Sequence, residues 1–152
     1  MLERAKVVVI DDEPVVCESC KRILERAGYL VETFTNSKEA LERVSQEIFD
    51  AAIVDLKMPD IDGMELLRRI KQEYPEIMVV MITGYSTVDT AVQAMKMGAF
   101  DYVPKPFTPD ELEIVVKNAL EKKRLLFENR YLRTQLKQRY GFGNIIGKSK
   151  KI

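Results

Sequence analysis

The 152 residues carry 24 Lys+Arg against 24 Asp+Glu, a formal net charge of zero that, taken whole, argues against a nucleic-acid partner. The absence of histidine excludes His general bases, Ser-His or Cys-His nucleophile pairs and His-containing zinc sites. The zero is also a sum over unlike pieces, because residues 1–116 hold 13 basic and 22 acidic side chains whereas residues 117–152 hold 11 and 2; such asymmetry predicts two functional parts. A hydrophobic content of 46% and a charged content of 32% describe a soluble chain with one real core. Two cysteines cannot staple a fold of this size, and no apolar run suits a signal or a membrane span, so the expected setting is cytoplasmic.

In chain order, Val7–Ile10 is a continuous apolar run, as a strand buried on both faces of a parallel sheet requires. Pro14 to Ala27 starts with proline and stops at Gly28, which predicts a helix. Leu30 to Phe34, interrupted by Glu32 and Thr33, fits a strand nearer an edge, and Ser37 to Gln46 has helical apolar spacing. Ala51–Val54 is a second buried strand, followed by a helix over Met64 to Tyr74 that ends before Pro75. Ile77–Ile82 is a third, followed by a helix over Thr87 to Met97 stopped by Gly98, and Phe100–Val103 is a weaker last strand. Strands alternating with helices predict an α/β, doubly wound, five-stranded parallel sheet with right-handed crossovers and the flavodoxin-like order 2-1-3-4-5.

From about Asp110 to Tyr140 no glycine or proline intervenes, too long a stretch for an ordinary final helix. A heptad frame places Leu125 and Leu132 at d and Asn129 and Leu136 at a, with Lys122, Asn118 and Arg139 as imperfections. An Asn at an a position specifies register in parallel dimers, so an extended C-terminal helix forming a dimeric coiled coil is expected, in preference to a solvated extension.

The chemically informative residues follow the strands: Asp11 and Asp12 after the first, Asp55 after the third, Thr83 after the fourth, Lys105 beyond the fifth. Ligands of doubly wound sheets bind at these carboxyl ends, where strand order reverses. Three converging carboxylates cannot all stay ionised without compensation, which a hard divalent cation such as Mg2+ supplies. An added lysine suits a dianionic phosphoryl group, and one carboxylate can act as the nucleophile that accepts it.

Val9-Ile10-Asp11-Asp12-Glu13, Asp55-Leu56-Lys57-Met58-Pro59, Thr83-Gly84, Met97 to Tyr102 and Lys105-Pro106-Phe107 together resemble the receiver domains of two-component response regulators. The resemblance implies Asp55 as phosphoacceptor and Mg2+ on Asp12, Asp55 and the Lys57 backbone carbonyl, with Asp11 acting through water. It further implies Thr83 and Lys105 as phosphoryl-binding groups, a Thr83–Tyr102 switch, a cis peptide before Pro106 and a histidine kinase as donor. Phe142 to Ser149 resembles the opening of the ATPase domain of nitrogen-regulation-type activators that work with sigma-54 RNA polymerase. The expected organisation is a receiver over 1–120, a helical linker over 121–141 and the start of a truncated ATPase domain over 142–152. The expected partners are the kinase, a second copy through receiver and linker, and the ATPase domain, without direct DNA or membrane contact. No independent enzyme is expected beyond Mg2+-dependent self-phosphorylation and autodephosphorylation at Asp55.

Other signals are declined. Gly147-Lys148-Ser149 lacks the first glycine of a phosphate-binding loop, since position 142 is Phe142. Cys17 and Cys20 have CxxC spacing but lie inside the first helix, near the apolar row Val16, Cys20, Ile23 and Ala27, and are read as packing. Asp60 to Gly63 fails as a calcium loop and reads as a turn. The basic tail reads as a solvated helix face. Two alternatives remain: a flavodoxin-like cofactor binder, disfavoured by the acidic first loop, and a phosphorylation-independent dimerisation module.

Overall fold

The computed structural model describes residues 4–84 and 88–143. Five strands, β1 (Lys6–Ile10), β2 (Leu30–Phe34), β3 (Ala51–Asp55), β4 (Met78–Thr83) and β5 (Asp101–Pro104), alternate with α1 (Pro14–Arg26), α2 (Ser37–Gln46), α3 (Gly63–Glu73), α4 (Val88–Lys96) and α5 (Pro109–Gly143). The strands form one parallel sheet in the order β2-β1-β3-β4-β5. The expected α/β architecture and strand order are both present.

The apolar runs are continuous because each central strand faces two cores. Val8, Ile10, Ala52, Val54, Val79 and Met81 join Ala40, Val44, Leu66, Leu67, Ile70 and Ala94 from α2, α3 and α4. The alternate residues Val7, Val9, Ala51, Ile53, Val80 and Ile82 join Cys17, Cys20 and Leu24 of α1 and Leu112, Val116 and Ala119 of α5. A period of two therefore splits each run between opposite faces. Burying one such aliphatic side chain contributes roughly 1.5–3 kcal/mol, which commits these segments to the sheet interior. β2 lies at the edge, with Leu30 exposed and Glu32 paired with Arg43 at 2.8 Å.

Local signals set the helix ends. Asn36 caps α2, its side chain accepting from the Lys38 and Glu39 N–H groups, and Asp62 caps α3 through the Glu65 N–H. Proline opens α1, and beyond its last turn Gly28 takes φ +101°, a conformation that L side chains rarely adopt.

Two boundaries differ from the expectations in a way that matters for the site. Asp55 and Thr83 do not follow their strands but are their last residues, because the ladder runs on to pair Asp55 with Ile82 and Thr83 with Pro104. Their carboxylate and hydroxyl are thus fixed by the sheet.

The chain divides into two compact units, the first ending at Leu120 and the second beginning at Glu121. Within the second, α5 runs three residues past the expected end at Tyr140 and exposes Leu125 (53%), Leu132 (54%) and Leu136 (49%), together with Asn129. Arg124 pairs with Glu121 at 2.7 Å and with Glu128 at 2.5 Å, an exposed helical network that solvent screens. The expected ATPase-like motif lies outside the described residues from position 144 onward. Among the described residues, no helix is long and apolar enough to cross a membrane.

Candidate functional site

β1 ends at Ile10, so Asp11 and Asp12 occupy the loop that carries the chain into α1. The Asp11 N–H donates to the Phe34 carbonyl at 3.0 Å, and Asp11 Oδ1 accepts the Glu13 N–H at 2.8 Å. The turn is therefore tied to β2 on one side and closed by its own side chain on the other. Asp11 is wholly buried, Asp12 is exposed and Asp55 is 4% exposed. Each offers an oxygen within 4.8 Å of the others.

Lys105 reaches this cluster from the loop after β5. Its Nζ lies 2.8 Å from Asp11 Oδ2, 3.0 Å from Glu13 Oε1 and 3.6 Å from Asp55 Oδ1. Its own N–H donates to the Thr83 carbonyl at 2.8 Å, which joins the ends of β4 and β5. The Lys105–Pro106 peptide is cis. Thr83 is wholly buried at the end of β4. The fold brings Asp11, Asp12, Asp55 and Lys105 together, and it sets Thr83 at the same end of the sheet, its carbonyl bonded to the Lys105 N–H.

The charges interact strongly. Burial, then the negative charge of Asp11, pushes the Asp55 carboxyl up to about 6, with Asp12 adding to the rise and Lys105 and the Lys57 N–H opposing it. Burial also raises Asp11, and its contacts with Lys105 and the Glu13 N–H do not fully offset that. For Lys105, burial acts downward, but hydrogen bonds to Asp11 and Glu13 and the charges of Asp11 and Asp55 outweigh it and hold the ammonium protonated. One ammonium is too little for three carboxylates.

Asp11 Oδ2 is buried against the Lys105 ammonium at 2.8 Å, and that one cation is shared with Glu13 and Asp55. Burial still leaves the Asp11 and Asp55 carboxyls raised, so their charge is under-compensated, and a hard cation bound beside them would supply the balance. The donor set, all carboxylate and carbonyl oxygen, fits Mg2+ and offers nothing to a soft metal.

The remaining expected residues are distributed as follows. Lys57 lies in the loop after β3, with its N–H directed to the Asp55 carboxylate. Tyr102 is half-buried on β5, and its hydroxyl lies 3.3 Å from Thr90 Oγ1 of α4. Asp60, with φ 64°, forms part of a turn, as read from the sequence. Sequence reasoning missed the pairing of Glu13 with Lys105, 92 residues away. It also missed Gly63, whose N–H donates to the Leu56 carbonyl at 2.8 Å and whose missing Cβ leaves room for the backbone of Asp55 and Leu56. Position alone, next to an acidic pair and at the start of a helix, was the available signal for each.

The family model described as the response regulator receiver domain matches residues 7–117. The chain belongs to that family. As a receiver domain it has relatives of known name: it is 38% identical over 147 residues to the C4-dicarboxylate transport transcriptional regulatory protein DctD of Pseudomonas aeruginosa, covering 96% of this chain and 32% of that protein. It superposes on NtrX from Brucella abortus with a TM-score of 0.82 at 34% identity, over 86% of this chain and 30% of that one. It also superposes on the beryllofluoride-activated NtrC4 receiver domain dimer with a TM-score of 0.75 at 36% identity, over 78% of this chain and 98% of that one. The chain spans between a quarter and a third of the length of the curated relatives it matches. For this receiver, the flavin-binding alternative loses its support, since a buried carboxylate stands where a phosphate-cradling loop would be needed.

Proposed function

We propose that this receiver is the phosphorylation switch of a two-component, sigma-54-type transcription activator, with Asp55 as its phosphoacceptor. The observation that carries the reading is the convergence of Asp11, Asp12 and Asp55 within 4.8 Å, with the Lys105 ammonium against two of them. An Asp55 oxygen attacks the phosphorus of a phosphohistidine on a partner kinase. The N–P bond breaks, its electron pair leaves with the imidazole, and an acyl phosphate forms. Lys105, whose ammonium lies 3.6 Å from Asp55 Oδ1, would pair with the arriving phosphoryl oxygens, and the Thr83 hydroxyl would donate to one of them. Asp12, Asp55 and the Lys57 carbonyl would hold Mg2+, with Asp11 acting through water. When bound, the ion neutralises charge on the transferring group.

Once Thr83 engages the phosphoryl group, the adjacent Tyr102, tethered to Thr90 of α4 in the present structure, carries the change to the α4–β5 face. A small phosphodonor with Mg2+ should add one phosphoryl group by intact mass, and Asp55→Asn should add none. The absence of any mass gain in the unmodified chain would overturn the assignment.

The readout is a change in pairing between two chains. The exposed stripe of Leu125, Asn129, Leu132 and Leu136 supports a parallel coiled coil, which would be the helical linker to an ATPase domain. Apolar side chains about half exposed on a long helix gain most when a second copy covers them. Leu132→Glu should therefore shift the chain from dimer to monomer in sedimentation equilibrium. An unchanged mass distribution would rule out this seam.

A further inference from the structure

One contact at the Asp11 turn serves neither packing nor ligation. Cys17 sits one turn into α1, 4% exposed among Val7, Val9 and Leu24. Its Sγ lies 3.2 Å from the Asp11 carbonyl oxygen and 3.6 Å from that of Phe34. Both distances suit a thiol S–H donating to a carbonyl. Phe34 accepts the Asp11 N–H as well, at 3.0 Å. The Asp11 residue is thus held at its N–H by β2 and at its C=O by α1. Cys20, one turn further along the helix and wholly buried, makes no hydrogen bond through its thiol among the described residues, so burial in α1 does not by itself produce such a contact.

We propose that Cys17 is a positioning residue for the acidic pocket, its S–H fixing the Asp11 carbonyl and, through it, the aim of the Asp11 and Asp12 carboxylates toward Asp55. The inference rests on the reading of that pocket as a Mg2+ and phosphoryl site. The chain reverses from β1 into α1 within three residues, so a rotation of the Asp11 peptide swings both carboxylates together. Asp11 Oδ1 is committed to the Glu13 N–H and Oδ2 faces Lys105. The peptide's own orientation is therefore what decides where the exposed Asp12 points.

The test compares Cys17→Ser, which keeps a donor, with Cys17→Val and Cys17→Ala, which do not. Mg2+ affinity is read by calorimetry, and folding by thermal melting without metal. Removing a hydrogen bond that orients a metal ligand costs 10–100-fold in affinity, and a thiol, as a weak donor, belongs at the lower end. Cys17→Val should bind Mg2+ about tenfold more weakly while melting close to the unmodified chain, and Cys17→Ser should stay within about threefold. Should Val crowd the helix and lower the melting point, Cys17→Ala gives the same affinity comparison with only a small void. In the unmodified chain the S–H stretching band, isolated as the difference from Cys17→Ser, should shift when Mg2+ is added. That signature would not arise from a packing thiol.

Equal Mg2+ affinity in the unmodified chain, Cys17→Val and Cys17→Ala would overturn the role of Cys17 while leaving the metal site intact. A loss in Cys17→Ser as large as in Cys17→Val would overturn it too, since shape rather than donation would then be responsible. An unmodified chain that binds no Mg2+ would overturn the site assignment, and this inference with it.

Discussion

Gly63→Ala should lower the melting temperature by roughly 10 °C and remove most Mg2+ binding. α3 begins at Gly63, directly against the end of β3. A Cβ there would overlap the Asp55 carbonyl oxygen and lie 2.6 Å from Leu56 Cα and 2.8 Å from the Leu56 oxygen. All three are backbone atoms, so no side-chain rotation can relieve the contact. Either α3 retreats from the sheet, opening the cluster of Leu66, Leu67 and Ile70, or the peptide after Asp55 is displaced. Overpacking of this kind costs on the order of 3 kcal/mol, which for a chain of this size corresponds to that shift. The metal effect follows separately, because the displaced peptide carries Asp55 and precedes Lys57. Thermal melting and a Mg2+ titration measure the two effects independently. A variant within about 2 °C of the unmodified chain would show that the close approach is relieved at little cost.

Without metal, Asp55→Asn should be more stable than the unmodified chain at pH 7, and the gain should disappear near pH 4. Folding raises the Asp55 carboxyl from 3.8 to about 6, so the folded state holds this proton more tightly than the unfolded chain. Stability therefore falls as pH rises through the window from about 4 to about 6, and it stays lower above it. Two pKa units correspond to about 3 kcal/mol. Proton sharing with Asp11, and the Lys105 contact that the amide gives up, reduce the expected gain to about 1–2 kcal/mol. Saturating Mg2+ should reverse the order, because ligand carboxylates must be deprotonated, and Mg2+ affinity should weaken below about pH 6. Melting curves at pH 4 and pH 7, with and without Mg2+, provide the comparison. Coincident curves for the two proteins at pH 7 would contradict a strained carboxylate.

Much of this was legible from residue order. A carboxylate ending an apolar run, as Asp55 does after Val54, stands out because a two-sided core tolerates no charge inside it, and the same logic located Thr83. The sheet order followed from the rules for parallel crossovers. What escaped were contacts whose meaning depends on a backbone partner. Cys17, near the apolar row that holds Cys20, reads as packing in sequence, and it is packed; the acceptor of its proton is a carbonyl, which carries no residue identity. Gly63 follows Asp62 and reads as a turn, whereas its role is to let α3 touch β3. Glu13 looks like one more acid in an acidic loop until Lys105 arrives from the far end of the domain. Such information is created by folding, and spacing along the chain does not encode it.

The burial of both thiols has a practical consequence. Cys17 and Cys20 are enclosed in the core, and burial pushes them up to about 11 and about 12. Since the thiolate is the reactive form, neither will react at a useful rate with maleimide or iodoacetamide reagents at neutral pH. A single cysteine introduced on an exposed part of α4 could then carry a spin label or fluorophore on the native background. The motion between α4 and β5 could be followed with the thiol at the Asp11 turn left in place.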